Sequence, residues 1–385
     1  MLVVVGTALA TSAQTSGSSL RFSTPIIVPL SISFPDGIAP GDVNNDGIPD
    51  LTISASHNGD VLSALGTGDG TFGSWMSSRA TFAPYVVVQG KFDGQNLDTI
   101  VNDVANPDAL VLLGAGNGFF PTSTSLNLNG NYAHGFAVGD FNGDSKSDIA
   151  AIVTTPDGSS SGIYIYLGNG DGTFQTGGRF STGGKFPTSI LVGDFNGDNV
   201  LDLAVLNAGN GSTPLPSVAV LLGNGNGTFK APLLFKLPMK SIRNGSIAAG
   251  RFTASNMLDV AVTGYYLGGG AVAILLGNGD GTFRLGQILR GGTPTSIAVG
   301  DFNGDGQLDL VDANDTQQFV GYVTFFLGNG DGTFQEPTRF AVNGQAPLQV
   351  VVADFNLDLK PDVATVNTDS HNVSVLLNAT QWPTK

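Results

Sequence analysis

The chain has 385 residues, of which 55 are glycine and only 12% are charged, a composition that suits turn-rich β structure. Its formal net charge is −15, and its 16 Lys and Arg residues form no runs, which argues against a nucleic-acid partner. Disulfide bonds are excluded because there is no Cys.

The N-terminus carries an apolar run. Residues 2–14, LVVVGTALATSAQ, are similar to the apolar core and cleavage region of a secretory signal, with Ala13 as the candidate last residue, although no basic residue precedes the run. We therefore predict that residues 1–19 are a signal-peptide remnant or a disordered stub, and that the protein is secreted or at the cell surface. No later segment is long and apolar enough to span a membrane.

An acidic loop recurs along the rest of the chain, and its clearest copy is VGDFNGDGQLDL at 299–310. In such a D-x-N-x-D-G-x-x-D loop, positions 1, 3, 5 and 9 offer side-chain oxygens and position 7 offers a backbone carbonyl, as at the front of an EF-hand loop. Hard oxygen ligands favour Ca²⁺ over Zn²⁺ or Cu²⁺. A single copy could equally be an ordinary turn rich in Asp, Asn and Gly.

Five copies keep all four side-chain positions, which predicts about five bound Ca²⁺ ions. The predicted ligands, in order of loop position, are Asp42, Asn44, Asp46, Ile48 and Asp50; Asp140, Asn142, Asp144, Lys146 and Asp148; Asp194, Asn196, Asp198, Val200 and Asp202; Asp301, Asn303, Asp305, Gln307 and Asp309; and Asp354, Asn356, Asp358, Lys360 and Asp362. These loops hold 15 of the 31 acidic residues, and five bound Ca²⁺ ions would add +10 to the net charge of −15, so metal binding explains most of the net negative charge.

Two further loops have lost most of the ligands and are predicted to be metal-free. GKFDGQNLD at 90–98 is one residue short, and GRFTASNMLD at 250–259 keeps only its closing Asp. Lys91 and Arg251 replace the first Asp of the loop. We predict that these cations pair with the remaining carboxylates, which are Asp93 and Asp98 near Lys91 and Asp259 near Arg251; the alternative is simple decay with both side chains in solvent.

A second motif, of the type LGNGDGTF, keeps step with the acidic loop and ends at Phe72, Phe120, Phe174, Phe229, Phe283 and Phe334. Each copy follows a short apolar run, and its Gly, Asn and Asp residues supply the positive φ angles of tight hairpins. A phosphate-binding loop is not favoured, because no helical pattern follows and no Lys stands at the P-loop position.

Together the two motifs define seven units of about 50 residues, each with four short apolar runs. This pattern predicts an all-β fold, a single seven-bladed β-propeller of four-stranded antiparallel blades over residues 20–380. The last unit lacks its fourth strand, and LRFSTPIIVPL at 20–30 is similar to the missing piece. We therefore predict that the N-terminal strand closes the ring.

The coupling of DFNGDGxxDL with LGNGDGTF resembles the FG-GAP/VCBS repeat family, whose propellers include the head of integrin α subunits. The resemblance covers nearly the whole chain and implies calcium in the five intact loops. It does not specify function, because the same architecture serves adhesion receptors, lectins and a few lyases.

The connections of the predicted blades fall into two sets. The acidic loops and glycine turns, on one face, scarcely change between blades, whereas the connections on the opposite face vary, as at 154–162, 207–217, 264–270 and 313–321. Individual loops on a rigid scaffold are typical of recognition, although unconstrained drift would look the same. The candidate exposed aromatic residues on that face are Tyr132, His134, Tyr265, Tyr266 and Phe319.

Catalysis has little support in the sequence. His57, His134 and His371 fall in connections of three different units, and no nucleophile elbow or HExxH helix occurs. We predict a calcium-stabilised binding or adhesion module for a protein or glycan ligand, which binds on the face opposite the calcium loops. The alternative is a polysaccharide lyase on the same scaffold.

Overall fold

The computed structural model describes residues 20–107, 109–155, 160–209, 215–242, 245–315 and 320–383. These residues form 28 strands in seven four-stranded antiparallel sheets. The predicted seven-bladed propeller is therefore confirmed. The expectation for residues 1–19 lies outside the described residues, which contain no helix that could cross a membrane.

Blades are numbered by the order of their acidic loops, and their strands are given from first to fourth. Blade 1 has β2 (Pro35–Gly41), β3 (Asp50–Ala55), β4 (Asp60–Ala64) and β5 (Met76–Arg79); blade 2 has β6 (Pro84–Gly90), β7 (Asp98–Asp103), β8 (Ala109–Leu113) and β9 (Thr122–Leu126); blade 3 has β10 (Tyr132–Gly139), β11 (Asp148–Thr154), β12 (Ser161–Gly168) and β13 (Phe174–Phe180). Blade 4 has β14 (Pro187–Gly193), β15 (Asp202–Asn207), β16 (Ser217–Leu221) and β17 (Leu233–Lys236); blade 5 has β18 (Ile247–Gly250), β19 (Asp259–Tyr266), β20 (Gly269–Gly277) and β21 (Phe283–Gly292); blade 6 has β22 (Pro294–Gly300), β23 (Asp309–Asn314), β24 (Val320–Phe326) and β25 (Thr338–Gln345). Blade 7 has β26 (Pro347–Ala353), β27 (Asp362–Asn367), β28 (Asn372–Leu376) and, as its fourth strand, β1 (Ile26–Pro29).

The blades are arranged in a closed ring. The first strand of each blade contacts the first strand of the next, and β26 of blade 7 contacts β2 of blade 1. The first strands therefore surround the central axis.

The N-terminal strand closes this ring, as predicted. Strand β1 pairs antiparallel with β28, with Ile26 opposite Val375 and Val28 opposite Val373. The pairing continues upstream, where the amide of Ser23 donates to the Leu377 carbonyl at 2.8 Å. Blade 7 thus has no unpaired fourth position.

The hydrophobic core lies between blades. Strands such as β11 and β15 are buried along their whole length or nearly so, because both faces of each sheet are covered by neighbouring blades. In one cluster, Ile152 of blade 3 and Ile190 and Leu203 of blade 4 pack together. This packing fixes the blade edges from which the loops project.

We call the face with the acidic loops and glycine turns the metal face, and the opposite face the variable face. The acidic loops join the first and second strands of each blade, and the glycine turns join the third and fourth strands. In an antiparallel sheet these two connections leave from the same end.

Candidate metal centres

The five intact acidic loops share one hydrogen-bond pattern, which begins at the first Asp. In blade 6, Asp301 Oδ1 accepts the amide of Asp305 at 3.2 Å, and Oδ2 accepts the amide of Gly306 at 2.9 Å. The same two bonds recur at the first Asp of the other four loops. The first carboxylate therefore folds back over its own loop.

Positions 3 and 5 add to this pattern. The Asn at position 3 accepts the amide of position 5, as in Asn303 Oδ1 to Asp305 N at 2.9 Å, and the Asp at position 5 accepts the amide of position 7, as in Asp305 Oδ1 to Gln307 N at 2.8 Å. Equivalent bonds occur in all four other intact loops. The loop geometry is thus a local property of the sequence spacing.

This turn needs two residues with positive φ, at positions 4 and 6. Gly304 and Gly306 occupy them in blade 6, with φ of 73° and 84°. In blade 7, Leu357 and Leu359 adopt 59° and 68°, a conformation that costs a non-glycine residue roughly 1–2 kcal/mol. The loop conformation is therefore retained in blade 7 even against backbone strain.

The closing Asp at position 9 has a role that the sequence did not predict. It is the first residue of the second strand in every blade and is fully buried. One oxygen accepts the amide of loop position 2 at 2.7–2.9 Å, and the other accepts an amide at the end of the third strand or just after it at 2.7–2.8 Å. The seven residues are Asp50, Asp98, Asp148, Asp202, Asp259, Asp309 and Asp362. The closing Asp therefore ties three parts of each blade together.

The electrostatics of the intact loops show that their carboxylates repel one another. The pKa of Asp50, Asp202 and Asp362 is raised to about 6, chiefly by burial and in smaller part by the negative charges at positions 1 and 5 of the same loop. Burial and the same repulsion raise the pKa of Asp309 well above its ordinary value. A cation placed among these groups would remove the repulsion between them.

The donor chemistry of the intact loops fits Ca²⁺, since each combines three carboxylates with an amide oxygen and a backbone carbonyl. Within the described ranges, no three His, Cys, Asp or Glu side chains are gathered closely enough to form a metal site by themselves. The hydrogen bonds above explain this, because the carboxylates at positions 1 and 5 are turned toward backbone amides. Each carboxylate oxygen has a further lone pair that could bind a cation.

Two intact loops differ in having Lys at position 7. Lys360 Nζ lies 3.1 Å from Asp358 Oδ2 in blade 7, and Lys146 Nζ lies 3.9 Å from Asp144 Oδ2 in blade 3. In both blades an ammonium group contacts a predicted ligand. A metal ion would compete with it.

The predicted ion pairs of the two degenerate loops are not found. In the part of the chain that the structure describes, neither Lys91 nor Arg251 forms an ion pair, and Arg251 Nε is buried without a hydrogen-bond partner. Both oxygens of Asp98 and of Asp259 accept backbone amides, as the closing Asp does in the intact loops. The closing Asp of each degenerate loop is thus hydrogen-bonded to the backbone of its own blade.

The acidic loop and the glycine turn are also joined between neighbouring blades. The amide of the glycine in the turn donates to the carbonyl of loop position 2 in the preceding blade at 2.7–3.3 Å, as in Gly227 N to Phe141 O. Six such bonds connect blades 7 to 1, 1 to 2, 2 to 3, 3 to 4, 4 to 5 and 5 to 6. Between blades 6 and 7, Asn378 Nδ2 donates to Phe302 O at 2.9 Å instead.

The Phe residues of the two motifs pack along the same ring. Phe141 and Phe229 meet edge to face with ring centroids 5.6 Å apart, and four other neighbouring blades have the same kind of pair. Edge-to-face pairs contribute roughly 0.5–1.5 kcal/mol beyond the area that they bury. This ring explains why the two motifs recur together in the sequence.

The predicted recognition residues on the variable face are not brought together. Tyr132 and Tyr265 are half-buried, Tyr266 packs under the Arg290 guanidinium at 5.3 Å, and His134 is exposed at a bulge in β10. Phe319 lies outside the described residues. Desolvation lowers the pKa of His134.

Other aromatic groups on the variable face were missed by the sequence analysis. Phe34 lies between His57 and His371, with ring centroids 4.4 Å and 5.2 Å away, which brings two of the three His residues together. Phe82 and Phe186 are also exposed. The sequence does contain a pattern that could have identified these three Phe residues. Each stands one or two residues before the Pro that begins the first strand of a blade.

The geometry can now be compared with known proteins. The family model described as FG-GAP-like repeat matches residues 146–205 and 252–311. The chain carries FG-GAP-like repeats. The matched segments run from the acidic loop of blade 3 to β15 of blade 4, and from the loop of blade 5 to β23 of blade 6.

Solved structures give the same fold for this FG-GAP-repeat propeller. The chain is similar to BBS1N in two crystals of its complex with ARL6DN, one soaked with lead and the other with mercury, with TM-scores of 0.60 and 0.63 and identities of 14% and 13%. Each similarity covers 94% of this chain, and 97% and 98% of the other chain. At this identity the similarity establishes the fold. The comparison with curated proteins found no match.

Proposed function

We propose that this propeller is a secreted binding or adhesion module that calcium stabilises and that recognises a protein or glycan on its variable face. The observation that carries the calcium assignment is the common geometry of the five intact loops. In each of these loops the carboxylates at positions 1 and 5 repel the closing Asp and raise its pKa. Calcium bound there would supply charge neutralisation, while the chain's own amides hold the loop in shape.

The variable face is the proposed ligand surface because its connections differ between blades. The metal face is occupied by a nearly uniform ring of loops and turns, whereas the connections of the variable face differ in length and sequence and include the exposed Phe34, Phe82 and Phe186. Individual residues on a rigid scaffold are the usual arrangement of recognition surfaces.

We propose a binding role without catalysis. His57 and His371 stack on Phe34, and His134 stands in blade 3. A polysaccharide lyase would need a base and an acid around one sugar, and no such pair is suggested by these contacts. The proposed secretion and the proposed calcium sites are compatible, since extracellular calcium sites bind at about 10⁻⁴–10⁻³ M.

The test is a glycan array and a pull-down with the calcium-loaded full chain. We expect a ligand whose binding is weakened by variable-face substitutions that leave melting unchanged. Asp301→Ala, on the metal face, should lower the melting temperature in calcium and leave binding unchanged at temperatures well below melting. The proposal fails if only metal-face variants affect binding at unchanged stability, or if neither screen gives a specific ligand.

A further inference from the structure

The variable face of blade 2 contains a cleft of about 270 Å³. It lies between the connection that enters the blade from β5 and the blade's own β7–β8 connection. The residues that matter to its chemistry are Thr81, Phe82, Asp103, Asn106, Leu110 and Ser125. Polar and apolar groups therefore share its walls.

Phe82 is the dominant apolar group of the cleft. Its side chain is 70% exposed, which is unfavourable for a large aromatic residue unless something covers it. Its backbone is fixed, because its amide donates to Asp103 Oδ2 at 3.0 Å. Phe82 thus presents an exposed aromatic ring at the cleft on a backbone that a hydrogen bond fixes.

Asp103 holds the two connections of the cleft together, but its carboxylate is buried and hydrogen-bonded and does not face a ligand as an exposed charge. It is only 2% exposed, and its two oxygens accept the amides of Phe82, Ala105 and Asn106 and the side-chain amide of Asn106. These four bonds place Phe82 and Asn106, which belong to two different connections, around one buried carboxylate. The oxygen of the Asn106 side chain is left for other contacts.

Thr81 supplies an independent indication of a ligand. Its side chain is 8% exposed, and Oγ1 is buried with no hydrogen-bond partner among the described residues. A buried hydroxyl without a partner is destabilising, so such groups are rare in native proteins. Thr81 lines the cleft, so rotation of its side chain would bring Oγ1 to a ligand hydroxyl there.

We propose that this cleft binds a neutral saccharide unit. No Lys or Arg is among its lining residues, so phosphate or carboxylate ligands are not favoured. An aromatic ring can pack against the apolar C–H face of a sugar, while Asn106, Ser125 and Thr81 offer hydrogen bonds to its hydroxyls. The volume is at the lower end of small-molecule sites, which suits one sugar ring. This inference rests on the proposed function, because it names a ligand class for the variable face.

The test compares three variants of the calcium-loaded full chain on a glycan array, with melting curves for each. Phe82→Ala removes the aromatic surface, and Thr81→Val replaces the buried hydroxyl by a methyl group of similar shape. Phe186→Ala is the matched control, because Phe186 is an exposed Phe in the equivalent connection of blade 4. We expect Phe82→Ala to weaken glycan binding about tenfold or more, the loss of roughly one good aromatic contact.

Thr81→Val should weaken glycan binding several-fold while the melting temperature stays the same or rises, since the unpaired hydroxyl is gone. Phe186→Ala should bind like the parent. Glycan binding that survives both Phe82→Ala and Thr81→Val would overturn the cleft assignment and leave the proposed function intact. If no glycan binds but a protein ligand is captured and mapped to the variable face, the saccharide inference is wrong and the module function stands. If neither class binds, both fail.

Discussion

The connections between the first and second strands of blades 5 and 6 occupy the same place in the propeller but carry different side chains. Blade 6 has Asp301, Asn303 and Asp305 at positions 1, 3 and 5. In blade 5 the residues at positions 3 and 5 are Thr253 and Ser255, whose hydroxyls hydrogen-bond to each other at 2.7 Å. A neutral pair of hydroxyls thus stands where blade 6 gathers negative charge.

Both loops nevertheless keep the same attachments to the propeller. Asp259 and Asp309 accept the same two backbone amides, and the position 2 carbonyls of both loops accept a hydrogen bond from the next blade. The scaffold role of the loop is therefore separable from the acidic positions 1, 3 and 5. We infer that those three positions are kept in five blades for metal binding, and the predictions below test this separation.

The largest expected effect is that of calcium on the whole protein. Metal that binds only the folded state raises the free energy of unfolding by about 2.7 kcal/mol per site when its concentration is a hundredfold above Kd. It also removes the repulsion between carboxylates within each intact loop. Melting followed by circular dichroism should show a clearly higher melting temperature in millimolar Ca²⁺ than in chelator. Equal melting temperatures would contradict the metal assignment for the intact loops.

The closing Asp should contribute equally to stability in blades with intact acidic loops and in blades with degenerate loops. Asp202→Asn in blade 4 and Asp98→Asn in blade 2 each replace one accepting oxygen by an NH₂ group that faces a buried amide. We expect each to lower the free energy of unfolding by about 1–3 kcal/mol in chelator, measured by denaturant titration. A loss confined to the intact blade would mean that the closing Asp serves the metal and not the scaffold.

The calcium effect should depend on pH. In the metal-free protein the pKa of Asp50, Asp202 and Asp362 is raised to about 6. These groups therefore stabilise the metal-free fold most at low pH, below their ordinary pKa, and that contribution is lost as pH rises through about 6. Calcium needs the ionised form, so its apparent affinity should be about tenfold weaker at pH 5 than at pH 7.

Melting in calcium and in chelator at both pH values checks this expectation. The increment in melting temperature should grow from pH 5 to pH 7. An increment that is independent of pH would show that the closing Asp does not contact the metal.

The smallest expected effect concerns differences among the intact loops. Lys360→Gln removes the ammonium that contacts Asp358, and because exposed ion pairs contribute about 0–1 kcal/mol, we expect calcium affinity in blade 7 to rise at most a few-fold. Calorimetric titration of calcium would measure this change. Lys236→Gln, in the fourth strand of blade 4, is the control and should leave the titration unchanged.

The fold and the loop geometry could be predicted from the sequence because they rest on local spacing. The bonds from Asp301 to Gly306 span five residues, and the seven repeats give the blade number directly. The scaffold role of the closing Asp could not be predicted in this way. Its second amide lies 16–21 residues further along, across the third strand.

Contacts between distant parts of the chain also explain which predictions were wrong or missing. The pairing of Arg251 with Asp259 was predicted from loop position alone, whereas the backbone amides that Asp259 accepts lie 7 residues before it and 18 residues after it. The cleft at Phe82 depends on a contact between two connections that no repeat encodes. His57 and His371 both contact Phe34 at the junction of blades 1 and 7, where the ring closes.

Metal stoichiometry tests the central claim most directly. The calcium-saturated protein, freed of excess metal and analysed for bound calcium per chain, should hold five ions, and a calcium-soaked crystal should place them in blades 1, 3, 4, 6 and 7. No ion should lie near Lys91 or Arg251. Seven ions, or none, would contradict the separation of scaffold and metal positions on which this account depends.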